Sequence, residues 1–184
     1  MNVYLIRHDV DNFKFYLQDE SDFFSVAAFD FCGESLFNGW KPYKIELFKG
    51  KTKAERSLKG DFNSSCFSSG LLYVEHSLAD VLSRQVNNIE LLKVITSDDR
   101  DFYYANVVGK IPALHYNNRQ ELQIMSRTQE YKFNNSINEM LIFRDEILPS
   151  NYFVTDRFVD IFQNDFRGVI FKKVGEIYLN ALNI

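Results

Sequence analysis

The chain has 184 residues, a formal net charge of -4 and 46% apolar residues, with 18 Phe and 10 Tyr among them. Disordered chains are poor in aromatic residues, so this composition excludes disorder and predicts a single domain over residues 1–184. The 21 Lys and Arg are dispersed along the chain and form no basic stripe, which argues against nucleic-acid binding and, with the acidic balance, favours a basic protein partner.

The first predicted strand covers residues 3–6, and a second candidate follows at residues 13–17. Charged residues come directly after the first strand, which is not the pattern of a signal peptide. The most apolar run, residues 23–29, is much shorter than the roughly 18 residues of a membrane span. We therefore expect a cytoplasmic protein without a membrane segment. Residues 43–47 alternate between apolar and polar and predict a half-buried strand.

One segment of the chain occurs twice. Residues 72–82 are matched by residues 152–162, and in each copy a short apolar run is followed by apolar residues at helical spacing. These helical positions are Leu78, Val81 and Leu82 in one copy and Phe158, Ile161 and Phe162 in the other. The match continues to Asn88 and Gly168, each at a turn before another strand. The pattern predicts a duplicated strand–helix–strand unit, and its crossover is long enough for parallel pairing of the two strands.

The remaining predicted elements are mostly strands. Residues 102–108 form a strongly strand-like run, and residues 140–143 predict a further short strand. Residues 122–125 are apolar, and residues 127–138 are polar. No long helical period occurs, so the expected class is α+β, with a mostly antiparallel sheet and few short helices. The tail at residues 175–184 carries apolar residues that either dock on the body or fray.

Two groupings have residue types that bind metals. His8, Asp9 and Asp11 follow the first strand and offer one imidazole and two carboxylates, although a solvated turn explains the same residues. His76 with Glu75 and Asp80 would place ligands on one helical turn. The matching residues of the second copy are Thr155, Asp156 and Asp160. Because the ligands do not recur, helix capping is favoured in both copies, with Asp156 as the expected N-cap, and we predict no metal site.

Cys66 is the candidate nucleophile of the chain, with His76 or His115 as its base. No nucleophile elbow, phosphate loop or dinucleotide fingerprint accompanies it, and Cys32 and Cys66 lack a paired or metal-like spacing. We predict no catalytic residues and no cofactor. The alternative is an enzyme of an unrecognised family that uses His8, His76 or Cys66 with nearby carboxylates.

Acidic clusters and the single tryptophan are the candidates for partner binding. The loop at residues 96–101 lacks the spaced ligands, central Gly and terminal Glu of a calcium loop, so it predicts a solvated or partner-facing patch. Tryptophan is frequent at binding hot spots, and it also suits a core. The candidate partner-binding residues are Asp98, Asp99, Asp101, Asp19, Glu20, Asp22 and Trp40.

The second copy carries a resemblance to a known family. Residues 147–162, continuing into residues 166–171, resemble the C-terminal signature of the immunity protein eleven family, a group of bacterial polymorphic-toxin immunity proteins first catalogued as a domain of unknown function. The signature consists of apolar spacing together with Asp156, Gly168 and Phe171. In the first copy, Asn88 stands where the second copy has Gly168.

Upstream segments are similar to the same family and follow in the same order. These segments are residues 59–62, 70–75 and 102–107, and the whole resemblance covers about residues 43–173. The resemblance implies an immunity protein that binds and neutralises a cognate toxin, often encoded beside it, with no catalytic residues. Besides the enzyme hypothesis, a module that self-associates through exposed sheet edges is a third alternative.

Overall fold

The computed structural model describes residues 1–19, 31–68 and 70–178 of the chain. Glu20, Asp22 and the apolar run at residues 23–29 lie outside the described residues. The strands are β1 Asn2–His8, β2 Tyr16–Gln18, β3 Lys44–Leu47, β4 Ser64–Ser65, β5 Tyr73–Glu75, β6 Ile89–Lys93, β7 Ile95–Thr96, β8 Phe102–Val107, β9 Tyr131–Phe133, β10 Ile142–Phe143, β11 Phe153–Thr155 and β12 Val169–Ile177. The α-helices are α1 Lys53–Arg56, α2 His76–Gln85, α3 Arg119–Thr128 and α4 Asp156–Phe162.

The described strands form three sheets that are mostly antiparallel, which confirms the predicted α+β class. A five-stranded sheet has the order β10-β11-β1-β12-β9, a four-stranded sheet the order β4-β5-β8-β6, and a three-stranded sheet the order β2-β3-β7. Among the pairs of described strands, only β12–β9 and β3–β7 are parallel. Each sheet combines strands that are distant in sequence, so long-range pairing dominates the fold.

The duplicated unit is present as β5-α2-β6, the first copy, and β11-α4-β12, the second copy. The parallel pairing that the crossover length allows does not form, because a third strand lies between the two strands of each copy. In the first copy this strand is β8, and in the second it is β1; each is antiparallel to both of its neighbours. Helices α2 and α4 therefore cross over a strand that belongs to another part of the chain.

The two copies also have the same register. The residue pairs 73/104, 74/103 and 75/102 of the first copy correspond to the pairs 153/5, 154/4 and 155/3 of the second. Residues 89 and 169 likewise lie opposite residues 107 and 8. The chain order differs, since β8 follows the first copy whereas β1 precedes the second by most of the chain. The second copy is a permuted version of the first.

Equivalent positions of the two copies pack against each other in a shared core. This cluster includes Leu78 and Leu82 of α2 and Phe158 and Phe162 of α4, all buried. Two further cores lie on the outer faces: one between the five-stranded sheet and α3, the other between the four-stranded and three-stranded sheets. Buried aromatic rings fill much of all three, and each removes roughly 150–250 Å² from water.

Arg144 is fully buried where the two copies meet. Its guanidinium donates to the carbonyl oxygens of Val107 (3.0 Å), Pro149 (2.5 Å) and Gly70 (3.4 Å) and to the hydroxyl of Tyr104 (3.2 Å), and it lies over the ring of Tyr152. Among the described residues no carboxylate pairs with it. Carbonyl and hydroxyl oxygens therefore accept hydrogen bonds from its N–H groups, which would be costly to bury without acceptors.

Helix α3 differs from the sequence prediction, which placed only a short apolar run there. Asn118 begins it, and its side-chain oxygen accepts a hydrogen bond from the N–H of Glu121 at 3.0 Å. An N-cap Asn followed by Glu at the third helical position is a known signal for the start of a helix. The sequence prediction considered only the short apolar run and missed this signal. Within the described ranges, none of the helices combines the length and the hydropathy that crossing a membrane requires.

The predicted N-cap of α4 is wrong. Thr155 occupies the N-cap position without a side-chain cap bond, and Asp156 is the first helical residue. Its carboxylate instead accepts a hydrogen bond from the N–H of Asn2 at 2.9 Å. The close approach of β1 to the start of α4 provides this donor, and a carboxylate in the first turn still interacts favourably with the helix dipole.

Candidate protein-binding surface

Neighbouring side chains hold the acidic loop between β7 and β8 in shape. Asp98 accepts a hydrogen bond from the hydroxyl of Tyr16 at 2.7 Å, and burial together with this carboxylate raises the pKa of Tyr16. The hydroxyl of Thr96 donates to the carbonyl oxygen of Arg100 at 2.7 Å. Asp99 is exposed and has a φ of 61°, a left-handed conformation that Asp tolerates better than most residues. The loop is thus ordered by its own contacts.

Arg100 anchors this loop to the body of the protein. Its guanidinium donates to the carbonyl oxygens of Gly60 (3.2 Å) and Phe62 and to the carboxylate of Glu75 (3.0 Å). It also lies 4.8 Å from the ring centroids of both Phe62 and Phe102. These contacts fix Arg100 between the loop and the neighbouring strands, and its charge also acts on Tyr16, the partner of Asp98.

Asp101 belongs to an exposed cluster at the start of α2. It pairs with Lys93, and its carboxylate lies 3.9 Å from Nδ1 of His76. On the other side, Nε2 of His76 lies 3.6 Å from Asp80. The ring of Tyr103 lies beside both side chains, with its centroid 5.0 Å from Nζ of Lys93 and 5.9 Å from the ring centroid of His76. The structure therefore joins His76, predicted as a possible ligand or base, to the acidic loop.

Asp19 lies near the same loop, on the outer face of the three-stranded sheet. It lines a cleft of about 240 Å³ together with Lys44, Glu46, Ile95 and Ser97. Ile95 is 48% exposed, and Glu46 is exposed beside it. Sequence analysis missed both residues because each lies in a short strand whose outer neighbours become known only from the pairing of β3 with β2 and β7.

Five carboxylates lie on the cleft or on the loop, which Ser97 joins because it lines the cleft and is the first residue after β7. We name them the acidic face, and its residues are Asp19, Glu46, Asp98, Asp99 and Asp101. Within the described part of the chain, neither Glu46 nor Asp99 forms an ion pair, whereas Asp101 pairs with Lys93. Lys44 and Lys93 share this surface with the five carboxylates, so the acidic face keeps a net negative charge beside the exposed side chain of Ile95.

Trp40 is half-buried beside β6, at the edge of the four-stranded sheet. Its indole N–H donates to the carbonyl oxygen of Lys93 at 2.7 Å, and its ring centroid lies 5.4 Å from that of Tyr43 and 5.9 Å from that of Tyr104. These contacts give Trp40 a packing role beside β6. A role as an interface anchor stays a prediction.

The residues of the enzyme hypothesis are differently placed. His8 is 6% exposed, and because a carbonyl oxygen only accepts, Nε2 of His8 donates to Phe13 at 3.1 Å. Burial raises the pKa of the Cys66 thiol to about 12, so it stays protonated at neutral pH, and its Sγ contacts the carbonyl oxygen of Ile6. His76 is exposed at the start of α2. In the described structure no hydrogen bond links Cys66 to a histidine.

The candidate metal ligands at the end of β1 do not form a metal site in the described structure. The carboxylate of Asp9 accepts hydrogen bonds from the side chain of Asn12 at 2.9 and 3.0 Å, as in a solvated turn. Across residues 1–19, 31–68 and 70–178, no three His, Cys, Asp or Glu side chains are grouped as metal ligands would be. No protein-family model matches the chain, and no curated protein matches it.

Proposed function

We propose that this chain is an immunity protein that binds a cognate bacterial toxin domain in the cytoplasm and neutralises it through protein–protein contact. The acidic face carries this proposal. Two of its carboxylates are ordered before any partner arrives, since Tyr16 holds Asp98 and Lys93 holds Asp101. Side chains that are already ordered lose little conformational entropy on binding, and complementary charge raises the association rate.

The composition of the acidic face indicates the chemistry of the partner. Carboxylates outnumber cations around Ile95, whose strand neighbour is Lys44, so a complementary surface is mostly basic at its rim and apolar near its centre. A toxin that acts on nucleic acid presents such a basic surface to its substrate. Covering it would block substrate access, and an interface of ordinary size, about 800 Å² per partner, extends well beyond the cleft itself. The resemblance to the immunity protein eleven family supports the same role.

Coexpression with the toxin encoded beside this chain tests the proposal. We expect the chain to restore growth of cells that express the toxin and to elute with it as one complex on gel filtration. A toxin of unrelated sequence serves as the control and should be neither neutralised nor bound. Continued growth arrest together with separate elution of the two proteins would contradict the proposal.

A further inference from the structure

The outer strands β6 and β12 occupy equivalent positions in the two copies, but their outer edges differ. Along β6, the indole N–H of Trp40 donates to the carbonyl oxygen of Lys93, and Glu90 accepts hydrogen bonds from the hydroxyl of Ser35 (2.5 Å) and the N–H of Leu36 (2.9 Å). The segment around Trp40 thus covers this edge. The equivalent residues 169–173 of β12 have no such cover in the described structure.

The backbone of this stretch directs hydrogen-bonding groups outward. The N–H of Asp9 donates to the carbonyl oxygen of Gly168 at 3.0 Å, which fixes the alternation of the antiparallel ladder between β1 and β12. Val169, Phe171 and Lys173 therefore turn their N–H and C=O groups away from β1. Among the described residues, none of these groups has a backbone partner on the outer side.

Strand β9 would continue to cover this edge, but it stops short. Of the described β12 residues it pairs with Gly175, Glu176 and Ile177 alone, because the chain enters it from the end of α3. The left-handed residue Gln129 turns the chain between the helix and the strand. The edge is therefore paired on one side of Gly175 and open on the other.

The open edge adjoins a groove of about 790 Å³ between α3 and β12. Its apolar lining includes Ile124, which is 53% exposed, and the better buried Met125 and Val174. One end carries an ion pair between Glu121 and Lys132 at 2.9 Å, which lowers the pKa of Glu121 to about 2. The groove offers an apolar side chain a place directly beside the edge.

The charge around the open edge is positive, in contrast to the net charge of -4 of the whole chain. Arg167, Lys172 and Lys173 are exposed and form no ion pair in the described part, and Nζ of Lys172 contacts only the neutral amide oxygen of Gln129, at 3.1 Å. Of the acidic groove residues, Glu121 pairs with Lys132 and Glu176 belongs to the stretch that β9 already covers. Glu130, beside Gln129, is the remaining one among the described residues, and the three cations outnumber it. An occupant of the open edge is therefore favoured if it is acidic.

We propose that residues 169–173 of β12 bind an extended acidic segment of a partner protein as an added β-strand. Outward N–H and C=O groups at alternate residues match the main chain of an extended peptide. The unpaired cations match carboxylates on that peptide, and Ile170, 48% exposed, together with the groove accepts its apolar side chains. The site is separate from the acidic face and does not rest on toxin binding.

A short synthetic peptide of alternating valine and glutamate is the probe. Added to ¹⁵N-labelled full-length protein, it should slow hydrogen exchange of the amides of Val169, Phe171 and Lys173. The amides of Ile170 and Lys172 already face β1, so their exchange should change little. This alternation distinguishes an added strand from nonspecific attraction between charges.

Two controls isolate the backbone and the charge contributions. The same peptide with methylated amide nitrogens on its pairing side should not bind, because it cannot complete the ladder. The double variant Lys172→Glu with Lys173→Glu should bind the unmodified peptide about tenfold more weakly. Lys41→Glu with Lys49→Glu, which changes two exposed lysines elsewhere, should leave the affinity unchanged.

Three results would overturn the proposal. One is unchanged exchange at Val169, Phe171 and Lys173 when the peptide is present. Another is equal affinity for the methylated and unmethylated peptides, which would show that the ladder groups take no part. The third is a protein mass that rises with concentration and is reversed by Lys172→Glu with Lys173→Glu, because a second copy of this chain would then occupy the edge.

Discussion

At the scale of single residues, Arg144 shows how a charged side chain joins the two copies. Its donors contact Gly70, Tyr104 and Val107 on the first-copy side and Pro149 on the second-copy side. From the sequence, an arginine next to an aspartate suggests a surface charge, since arginine is seldom fully buried. The carbonyl oxygens that bind it come from segments that are far apart in the chain and are brought together where the two copies pack, so the local sequence does not reveal them.

Replacing Arg144 with methionine should strongly destabilise the protein. The change keeps an unbranched apolar stem but removes the donors of the Val107 and Pro149 carbonyl oxygens, at a cost of about 3 kcal/mol in the free energy of unfolding. Urea denaturation followed by circular dichroism measures this cost. Arg84→Met, at an exposed helix position, is the matched control and should change stability by less than about 0.5 kcal/mol. Equal effects of the two substitutions would contradict the assigned role.

His8 should make the stability of the protein sensitive to mild acid. Burial lowers the pKa of His8, and among the described residues its Nδ1 has no hydrogen-bond partner. In the unfolded chain histidine has a pKa of about 6.5, so below that pH the unfolded state binds more protons than the folded state. The stabilisation is complete above that pH and is lost as the pH falls below it.

The test compares the wild type with His8→Gln by urea denaturation at pH 7 and pH 5.5. The wild type should lose more free energy of unfolding over this interval than the variant, at a rate of up to about 1.4 kcal/mol per pH unit. An identical loss in both proteins would show that His8 does not cause the pH dependence.

At the scale of elements, the two copies differ in the backbone conformation of the turn before their last strand. Gly168 has a φ of 112°, and a Cβ added to it would overlap the carbonyl oxygen of Ser64. Asn88 occupies the equivalent turn without a positive φ, and its side chain donates to the carbonyl oxygen of Ile142 at 3.2 Å. The copies therefore share a turn position but not its conformation.

Gly168→Ala should destabilise the protein by about 2 kcal/mol or more, because it combines an unfavourable backbone conformation with a steric overlap. Thermal or urea unfolding measures the effect. Gly39→Ala is the control, since a Cβ there meets nothing within 4 Å and φ is not positive, and its effect should stay within about 0.5 kcal/mol. A mild effect at Gly168 would mean that the turn moves away from Ser64 at little cost.

At the scale of the whole molecule, the sequence predicted the strand–helix–strand copies but not the way they are completed. Apolar spacing identified α2 and α4 because it is a local property of the chain. The insertion of β8 and β1 depends on pairing between distant segments, which no local pattern records. The same limit explains why Asp98, Asp99 and Asp101 were found as candidates, whereas Glu46 and Ile95 were missed.

The binding role of the acidic face is tested most directly by the kinetics of toxin binding. Surface plasmon resonance at low salt should compare the wild type with the double variant Glu46→Lys and Asp99→Asn, in which asparagine retains tolerance for the left-handed conformation. Glu146→Lys, at an exposed site away from the acidic face, is the control. We predict an association rate constant about tenfold lower for the double variant and unchanged for the control. Association of the double variant at the wild-type rate would contradict binding through the acidic face.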